Sequence, residues 1–443
     1  MKAKPRMLLT EGEVGPRLIR LAIPMAWGIL TNMLFNLVDT FYIGRLGSVP
    51  LAAIGFTFPV VFVISGTAMG MGIGISSVVS RAIGEGHHDR ALALTTRGIV
   101  LVVLLAASFI LLGLRFHDAV FRWLGAGDEL IPLIRSYMIP WFAGALFLVI
   151  PMSGNSAIRA TGDSLTPSLI MITAGCVNIL LDPLLIFGLG PFPRLEMSGA
   201  ALATVLSYFT ACCASCWVLV RREKLFRFKI LRAPGLLASW KTILFIGLPA
   251  VGTNLLVPLA NGILTRIFAG FGPLAVAAFG VGTRIEALMM VASFALSTMM
   301  APFVGQNEGA GRRDRVREAL RFGLRFCVGV SLVLWSLVFG FAGKIAGVFT
   351  SEPEIIRIAS LYLMVVPVSY GGFGFMLQAA AAFNASARPK YSVLLFFSRL
   401  IVFTVPLALL GSYLAGIPGI FAGMVAGNLG SGLLAVILAR RKF

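Results

Sequence analysis

Two aspartates within apolar stretches are the residues of this 443-residue chain best suited by type and spacing to chemistry. Asp39 lies in the run "NMLFNLVDTFYIGRLG", where Asn32, Asn36 and Asp39 share one helix face by their i, i+4, i+7 spacing. Asn178 and Asp182 are spaced i, i+4 in a later apolar run. A carboxylate at the centre of a membrane helix costs about 2.5 to 3.5 kcal/mol, so both aspartates require an explanation.

The two carboxylates are predicted to form one cation site. Both apolar runs are expected to cross the membrane outward, which places Asp39 and Asp182 at similar depth in its outer half. Two nearby carboxylates in a low-dielectric cavity cannot both stay ionised without a cation, so the pair binds H⁺, or Na⁺ with help from the amide oxygens of Asn178 and Asn36. A structural alternative stays open, in which Asp39 hydrogen-bonds locally and Asp182 satisfies carbonyls freed by Pro183.

The second half of the chain carries fewer intramembrane polar residues. Glu286 lies two residues after Arg284, and residues at i and i+2 of a helix do not face each other. Glu286 therefore either lines a cavity or pairs with another helix. The further candidates for a cavity in this half are Arg284, Asn254, Asn261, Gln378 and Met289.

The elements that position these residues are predicted to be membrane helices. With 58% hydrophobic and 12% charged residues, the chain is too apolar for a soluble core. Backbone groups in lipid must be satisfied within each segment, so an all-α bundle of twelve transmembrane helices is expected. The predicted spans are 17–43, 50–80, 91–114, 130–152, 165–190, 196–220, 242–268, 273–302, 319–343, 355–382, 390–414 and 417–439.

The net charge of +19 follows the topology of the chain. Most Lys and Arg residues fall in alternate loops, which predicts a multi-pass protein of the inner membrane with both termini cytoplasmic. The segment "RREKLFRFKILR" is interpreted as contacting anionic membrane lipid and fixing topology. No nucleic-acid partner is expected.

The chain is predicted to be an internal duplication with an offset of about 225 residues. Six spans per copy give two lobes related by an axis along the membrane normal, 1–220 and 242–443, joined by a cytoplasmic linker, 221–241. Pro24 removes a helix hydrogen bond in the first span and makes a hinge there easier to form. The residue pairs that share the offset include Pro24 and Pro249, Gly47 and Gly272, Gly55 and Gly280, Glu129 and Glu354, and Tyr137 and Tyr362.

Five segments together resemble the multidrug and toxic compound extrusion (MATE) family over essentially the whole chain. They are "LAIPMAWGILTNMLFNLVDTFYIGRLGSVPLAAIGF", "SRAIGEG", "RATGD", "NILLDPLLIFGLG" and "APFVGQNEGAG". The Asp182-Pro183 pair looks like the DinF-like branch. The resemblance implies a secondary active exporter that exchanges cationic or amphipathic organic compounds for H⁺ or Na⁺ by alternating access. We expect a monomer with no cofactor other than the coupling ion.

The resemblance also implies roles for individual residues. Asp39 matches the first-helix acid, Pro24 the bending proline, and Asn178 with Asp182 the pair that completes the cation site. In some close relatives a Tyr stands one turn before the first-helix acid; Phe35 lacks that hydroxyl. The acid that the NorM-like branch carries on its seventh helix is absent from "TNLLVPLANG" (253 to 262), which assigns coupling to the N-terminal half. Additional candidates for a cation or substrate site are Asn155, Thr204, Phe35 and Asn32.

Two other functions are alternatives to antiport. A flippase for lipid-linked oligosaccharide, from the same superfamily, would need a strongly cationic central cavity, for which Arg135, Arg284 and Arg399 are the candidates. An intramembrane hydrolase would use Asp39 and Asp182 as an acid/base pair, but no accompanying catalytic motif is present. The sequence therefore predicts a transporter that is not an enzyme.

Overall fold

The computed structural model describes residues 9–443, and all regular structure within that range is helical. The basic residues expected to hold the N-terminus in the cytoplasm begin within residues 1–8, outside the described range. Two compact units are present, one of residues 27–251 and one of residues 9–26 with 252–443. Helices α1 and α8 each contribute one part to each unit.

The unit of residues 27–251 is built around helix α5, which packs against α2, α3 and α7. Short π-helical (Val218–Arg222) and 3-10 (Phe228–Arg232) turns follow its last complete helix. Its helices are α1 (Val14–Gly44, from residue 27), α2 (Ser48–Gly84), α3 (His88–Arg115), α4 (His117–Trp123), α5 (Ile131–Ala160), α6 (Leu165–Phe187), α7 (Glu196–Trp217) and α8 (Leu236–Ala269, to residue 251).

The second unit is built around helix α13, which packs against α10, α11 and α15. The first residues of the described chain belong to it, since the Leu9 N–H donates to Gln306 Oε1 at 2.8 Å. A 3-10 turn (Val366–Ser369) joins α12 to α13, and a π-helical segment (Ser398–Thr404) joins α14 to α15. Its complete helices are α9 (Pro273–Met289), α10 (Val291–Gly309), α11 (Arg313–Gly347), α12 (Pro353–Val365), α13 (Tyr370–Ala385), α14 (Pro389–Phe397) and α15 (Val405–Lys442).

Twelve membrane-spanning segments are present in residues 9–443. Ten helical stretches are long and apolar enough to cross a membrane, and α9 with α10, bent by 49°, forms an eleventh. The longest stretch, Pro389–Lys442, is interrupted at Ala415 and Gly416, whose backbone is not helical, and so provides two spans. The break falls between the predicted limits 414 and 417. The prediction of an all-α, twelve-helix membrane fold is confirmed.

The backbone repeats the 225-residue offset of the sequence. The unit boundaries, after Ala26 and after Val251, are 225 residues apart (251 − 26 = 225). Left-handed glycines precede the second helix of each copy, at Gly47 (φ 127°) and Gly272 (φ 96°). The two turns are one repeat offset apart and share a backbone conformation that favours glycine. This supports a duplication of one helical design. The predicted lobe limits, 1–220 and 242–443 with the linker 221–241, stay a prediction.

Helices α6 and α7 approach closely where Gly199 faces the end of α6. A Cβ atom on Gly199 would lie 2.3 Å from the carbonyl oxygen of Leu185, well inside van der Waals contact. Glycine is therefore required for this backbone approach. Because α6 and α7 carry Asn178, Asp182 and Thr204, the approach sets the positions of predicted site residues.

Replacing Gly199 with alanine is expected to lower stability by about 1 to 3 kcal/mol, because the added methyl group forces α6 and α7 apart. Thermal unfolding of the purified protein in detergent measures the effect. Gly280→Ala is the matched control, since a Cβ at Gly280 meets no atom within 4 Å. An unfolding midpoint for Gly199→Ala at or above that of the unaltered protein would contradict this packing.

Candidate functional site

Helices α1, α5, α6 and α7 bring polar residues together inside the unit of residues 27–251. Asp39 lies on α1 in the part that belongs to this unit, and Tyr137 lies on α5. Asn178 and Asp182, one turn apart on α6, are both fully buried. Thr204 is buried on α7. We call Asp39, Tyr137, Asn178, Asp182 and Thr204 the aspartate cluster.

The amide of Asn178 connects α6 to α7 within the cluster. Its Nδ2 donates to Asp182 Oδ1 at 3.3 Å and to Thr204 Oγ1 at 3.5 Å. The Tyr137 side chain lies near that of Thr204. Both Asn178 distances are longer than a typical N–H···O bond, so these contacts hold the side chains weakly.

Asp39 lies close enough to Asp182 for the charges of the two carboxylates to interact. The charge of Asp39 also acts on Tyr137 and on Tyr208 of α7. The two aspartates predicted to share a site are therefore neighbours. Sequence reasoning did not assign either tyrosine to the site.

Three acceptor atoms of the cluster are buried without a hydrogen-bond donor among the described residues. They are Asp39 Oδ1, Asn178 Oδ1 and Asp182 Oδ2. A buried acceptor without a donor costs about 1 to 3 kcal/mol, more when it is charged, so such atoms are rare in folded proteins. A proton would bind to one of these oxygens, and a small cation would be coordinated by several of them. Carboxylate and amide oxygens are hard ligands suited to such a cation.

An acid at the surface of the same unit shows the opposite arrangement. Asp118 on the short helix α4 contacts His117 Nδ1 at 2.8 Å and accepts from Arg135 Nη2 at 2.7 Å. The hydrogen bond with His117, followed by that from Arg135, holds the pKa of Asp118 below its usual value. Asp118 is thus already neutralised by protein groups, whereas Asp39 and Asp182 are not.

The other residues predicted for this half lie at different places. Asn155 is buried on α5 and its Oδ1 has no donor within residues 9–443, while Phe35 is buried on α1. Asn32 and Asn36 are exposed. The side-chain amide of Asn36 donates to the backbone oxygen of Asn32 at 2.7 Å. Its nitrogen is therefore bonded to its own helix. Pro24 lies within α1, three residues before the unit boundary.

Glu286 of the second unit is hydrogen-bonded to side chains of other helices, which is one of its two expected roles. Its Oε2 accepts hydrogen bonds from the hydroxyls of Tyr362 and, at 3.1 Å, Tyr370. Arg399 donates to Asn428 Oδ1 at 3.2 Å. Arg284 is exposed. Tyr362 is the repeat partner of Tyr137, so the shared offset was the available signal that a tyrosine accompanies the acid in each copy.

The remaining candidates of the second half do not form a cluster with Glu286. Gln378 is fully buried and donates to the backbone oxygen of Ser293 at 2.9 Å, which ties α13 to α10. Met289 is buried, Asn254 is half-buried and Asn261 is exposed. Gln378 therefore makes a structural contact. The positions of these four residues do not indicate a shared site.

Comparison with known proteins identifies the family. The MatE family model matches residues 24–184 and, separately, residues 249–410. The chain belongs to the MATE family. The two matches begin 225 residues apart (249 − 24 = 225), so each half of the chain is one copy of the family's repeating unit.

Individual relatives cover nearly the whole MATE chain. It is 39% identical over 438 residues to the FAD transporter of Shewanella oneidensis, covering 99% of this chain and 97% of that protein. It is 26% identical over 384 residues to the probable multidrug resistance protein NorM of Thermotoga maritima, covering 85% and 80%. The crystal structure of the Vibrio cholerae MATE transporter VcmN in the bent form is similar, with a TM-score of 0.92, 31% identity and coverage of 97% and 96%.

The family assignment confirms the resemblance found in the sequence. MATE proteins are multi-pass membrane transporters, not enzymes, which sets aside the intramembrane hydrolase. Membership of the DinF-like branch stays a prediction.

Removing the Tyr137 hydroxyl is expected to change how stability depends on pH. In Tyr137→Phe the aspartates lose a polar neighbour, so the pH-dependent change in unfolding temperature should be displaced. Tyr413→Phe, which removes a hydroxyl from a side chain that is 89% exposed, should leave that profile in place. Identical pH profiles for Tyr137→Phe and the unaltered MATE protein would show that the Tyr137 hydroxyl does not interact with the two aspartates.

Proposed function

We propose that this MATE protein is a secondary active exporter in which H⁺ or Na⁺ binding at Asp39 and Asp182 drives the release of an organic substrate. The observation that carries the proposal is the set of buried acceptors without donors, Asp39 Oδ1, Asn178 Oδ1 and Asp182 Oδ2. These atoms have no donor within residues 9–443, so a mobile cation is the group that would complete them. Asn178, whose Nδ2 contacts both Asp182 Oδ1 and Thr204 Oγ1, adds an amide oxygen to these acceptors.

Ion binding is linked to a change of shape through α1. Asp39 is fifteen residues beyond Pro24 on one helix (39 − 24 = 15), about 22 Å along its axis. Pro24 cannot donate to the carbonyl of Arg20, which lowers the cost of bending α1 there. Neutralising Asp39 removes the charge that holds this part of α1 in one arrangement. A coupling ion can shift the equilibrium only if it binds one arrangement better, and the paired carboxylates provide that difference.

Amphipathic organic cations are the first substrate class, because they are attracted by the ionised aspartates. Binding of H⁺ or Na⁺ removes that attraction, so the ion and the substrate compete for one negative site. Relatives named as multidrug proteins, including the NorM protein of Thermotoga maritima and the export protein MepA of Staphylococcus aureus, favour this class.

Flavin adenine dinucleotide (FAD) represents the second substrate class, which is favoured by the 39% identity to a protein named FAD transporter. Its pyrophosphate is negatively charged, so ionised aspartates repel it and their neutralisation would strengthen binding. Release would then depend on the movement of α1 alone. The two classes therefore predict opposite effects of neutralising the aspartates on substrate affinity.

Asp39→Asn and Asp182→Asn should each abolish ion-driven transport, because an amide cannot exchange a proton or carry the charge that binds Na⁺. Ion-driven uptake of ethidium and of FAD into inverted vesicles measures the loss, with H⁺ and Na⁺ gradients imposed separately. Asp128→Asn is the matched control, since the Asp128 side chain is 82% exposed in an ion pair with Arg122. Full transport by both aspartate variants under either gradient would refute the coupling scheme.

The Asp39→Asn and Asp182→Asn double variant distinguishes the two substrate classes by equilibrium binding. Ethidium should bind at least tenfold more weakly than to the unaltered protein, because both charges that attract it are gone. FAD should bind equally well or more tightly. A fall in affinity for both compounds would show that the variant damages the binding site as a whole, and circular dichroism checks that its helices remain.

A further inference from the structure

A cavity of about 680 Å³ lies in the second unit, between the first turns of α11 and the end of α15. Arg317, Arg321 and Arg325 line it from α11, and Arg440 lines it from α15. It is separate from the aspartate cluster, which belongs to the other unit. Four arginines around one cavity indicate a ligand of negative charge.

The three α11 arginines form a continuous positive stripe. Their i, i+4, i+8 spacing places them on one helix face, about 12 Å from first to last along the axis. All three are exposed, as is Arg440. None of the four forms an ion pair with an aspartate or glutamate of the described chain, although Glu318 is next to Arg317 in sequence. Like charges at i, i+4 repel, so a bound anion would stabilise this stripe.

The wall of the cavity formed by α15 is held in position. Arg388 Nη1 donates to the Lys442 backbone oxygen at 2.6 Å, and the ring of Phe383 packs 5.2 Å from that of Phe443. The Arg317 Nε also donates to the Phe443 oxygen. These contacts fix the last turn of α15, and with it Arg440, beside the α11 stripe. The arginines therefore surround a built cavity.

The rest of the lining is apolar. Leu320 and Leu324 of α11, Phe375 of α13 and Val436 of α15 contribute to the same cavity. Helix α11 is a membrane-spanning helix, and the stripe lies within its first thirteen residues, at positions 317 to 325, before its long apolar part. Charged residues at this end lie at the level of lipid phosphates, and apolar residues beside them lie at the level of acyl chains.

We propose that this cavity binds an anionic phospholipid, with the phosphodiester on Arg321, Arg325 and Arg440 and an acyl chain against Leu324 and Val436. Guanidinium groups bind phosphate through paired hydrogen bonds, and basic cavities between membrane helices are suited to lipid head groups. The bound lipid neutralises the stripe and joins α11 to α15. The proposal is independent of the coupling ion and of the exported substrate.

Native mass spectrometry of the purified full chain tests the site. The probes are phosphatidylglycerol and cardiolipin, with zwitterionic phosphatidylcholine as the neutral-lipid comparison. The Arg321→Gln and Arg325→Gln double variant should retain the anionic lipids about tenfold less well than the unaltered protein, because each phosphate contact is a charge-assisted hydrogen bond. Arg440→Gln, on the other wall, should weaken retention in the same direction.

The matched control is the Arg312→Gln and Arg313→Gln double variant, which removes the same charge just before the stripe and outside the cavity lining. Its lipid retention should equal that of the unaltered protein. Equal retention by all variants, or equal retention of phosphatidylcholine, would overturn the proposal. Inorganic phosphate or pyrophosphate, added without lipid, should not raise the unfolding temperature of the protein. If either compound raised it, and Arg440→Gln abolished that rise, the cavity would bind a water-soluble phosphate compound and the lipid assignment would be overturned.

Discussion

The central constraint on the N-terminal unit is that two carboxylates, those of Asp39 and Asp182, each keep a buried oxygen without a hydrogen-bond donor among residues 9–443. The helices around Asp39 and Asp182 contribute a weak amide contact from Asn178, and Tyr137 and Tyr208 lie within electrostatic range of Asp39. In a low-dielectric interior, two ionised carboxylates repel each other and lose their hydration. A bound proton or metal ion would offset that cost. In the proposed function, this requirement is what makes the unit respond to an ion gradient.

The duplication shows how one helical design serves two purposes. Tyr137 and Tyr362 occupy equivalent positions, and each lies near acidic side chains, Asp39 and Asp182 in the first copy and Glu286 in the second. The second copy satisfies its acid by hydrogen bonds from two tyrosines. The first copy leaves acceptor oxygens without donors among residues 9–443. The same scaffold is therefore a candidate exchange site in one half and an inter-helix contact in the other.

Much of the fold could be predicted from sequence, because membrane spans need long apolar runs and repeated turns need glycine at fixed spacing. The break at Ala415 and Gly416 and the Gly47–Gly272 pair are examples. Helical periodicity also identified the polar face with Asp182. The involvement of Tyr137 and Tyr208, the exposure of Asn36 and the partners of Glu286 were not predictable. They depend on how separate helices rotate against each other, which one-helix periodicity does not specify.

Infrared difference spectroscopy on protein with isotope-labelled aspartate most directly measures whether the buried pair exchanges a cation. The account predicts that a protonated carboxyl band appears as pH falls, diminishes when Na⁺ is added if Na⁺ is the coupling ion, and is reduced when either Asp39 or Asp182 is replaced by asparagine. Both aspartates remaining ionised over the whole pH range without Na⁺, with no band that depends on these two residues, would contradict it.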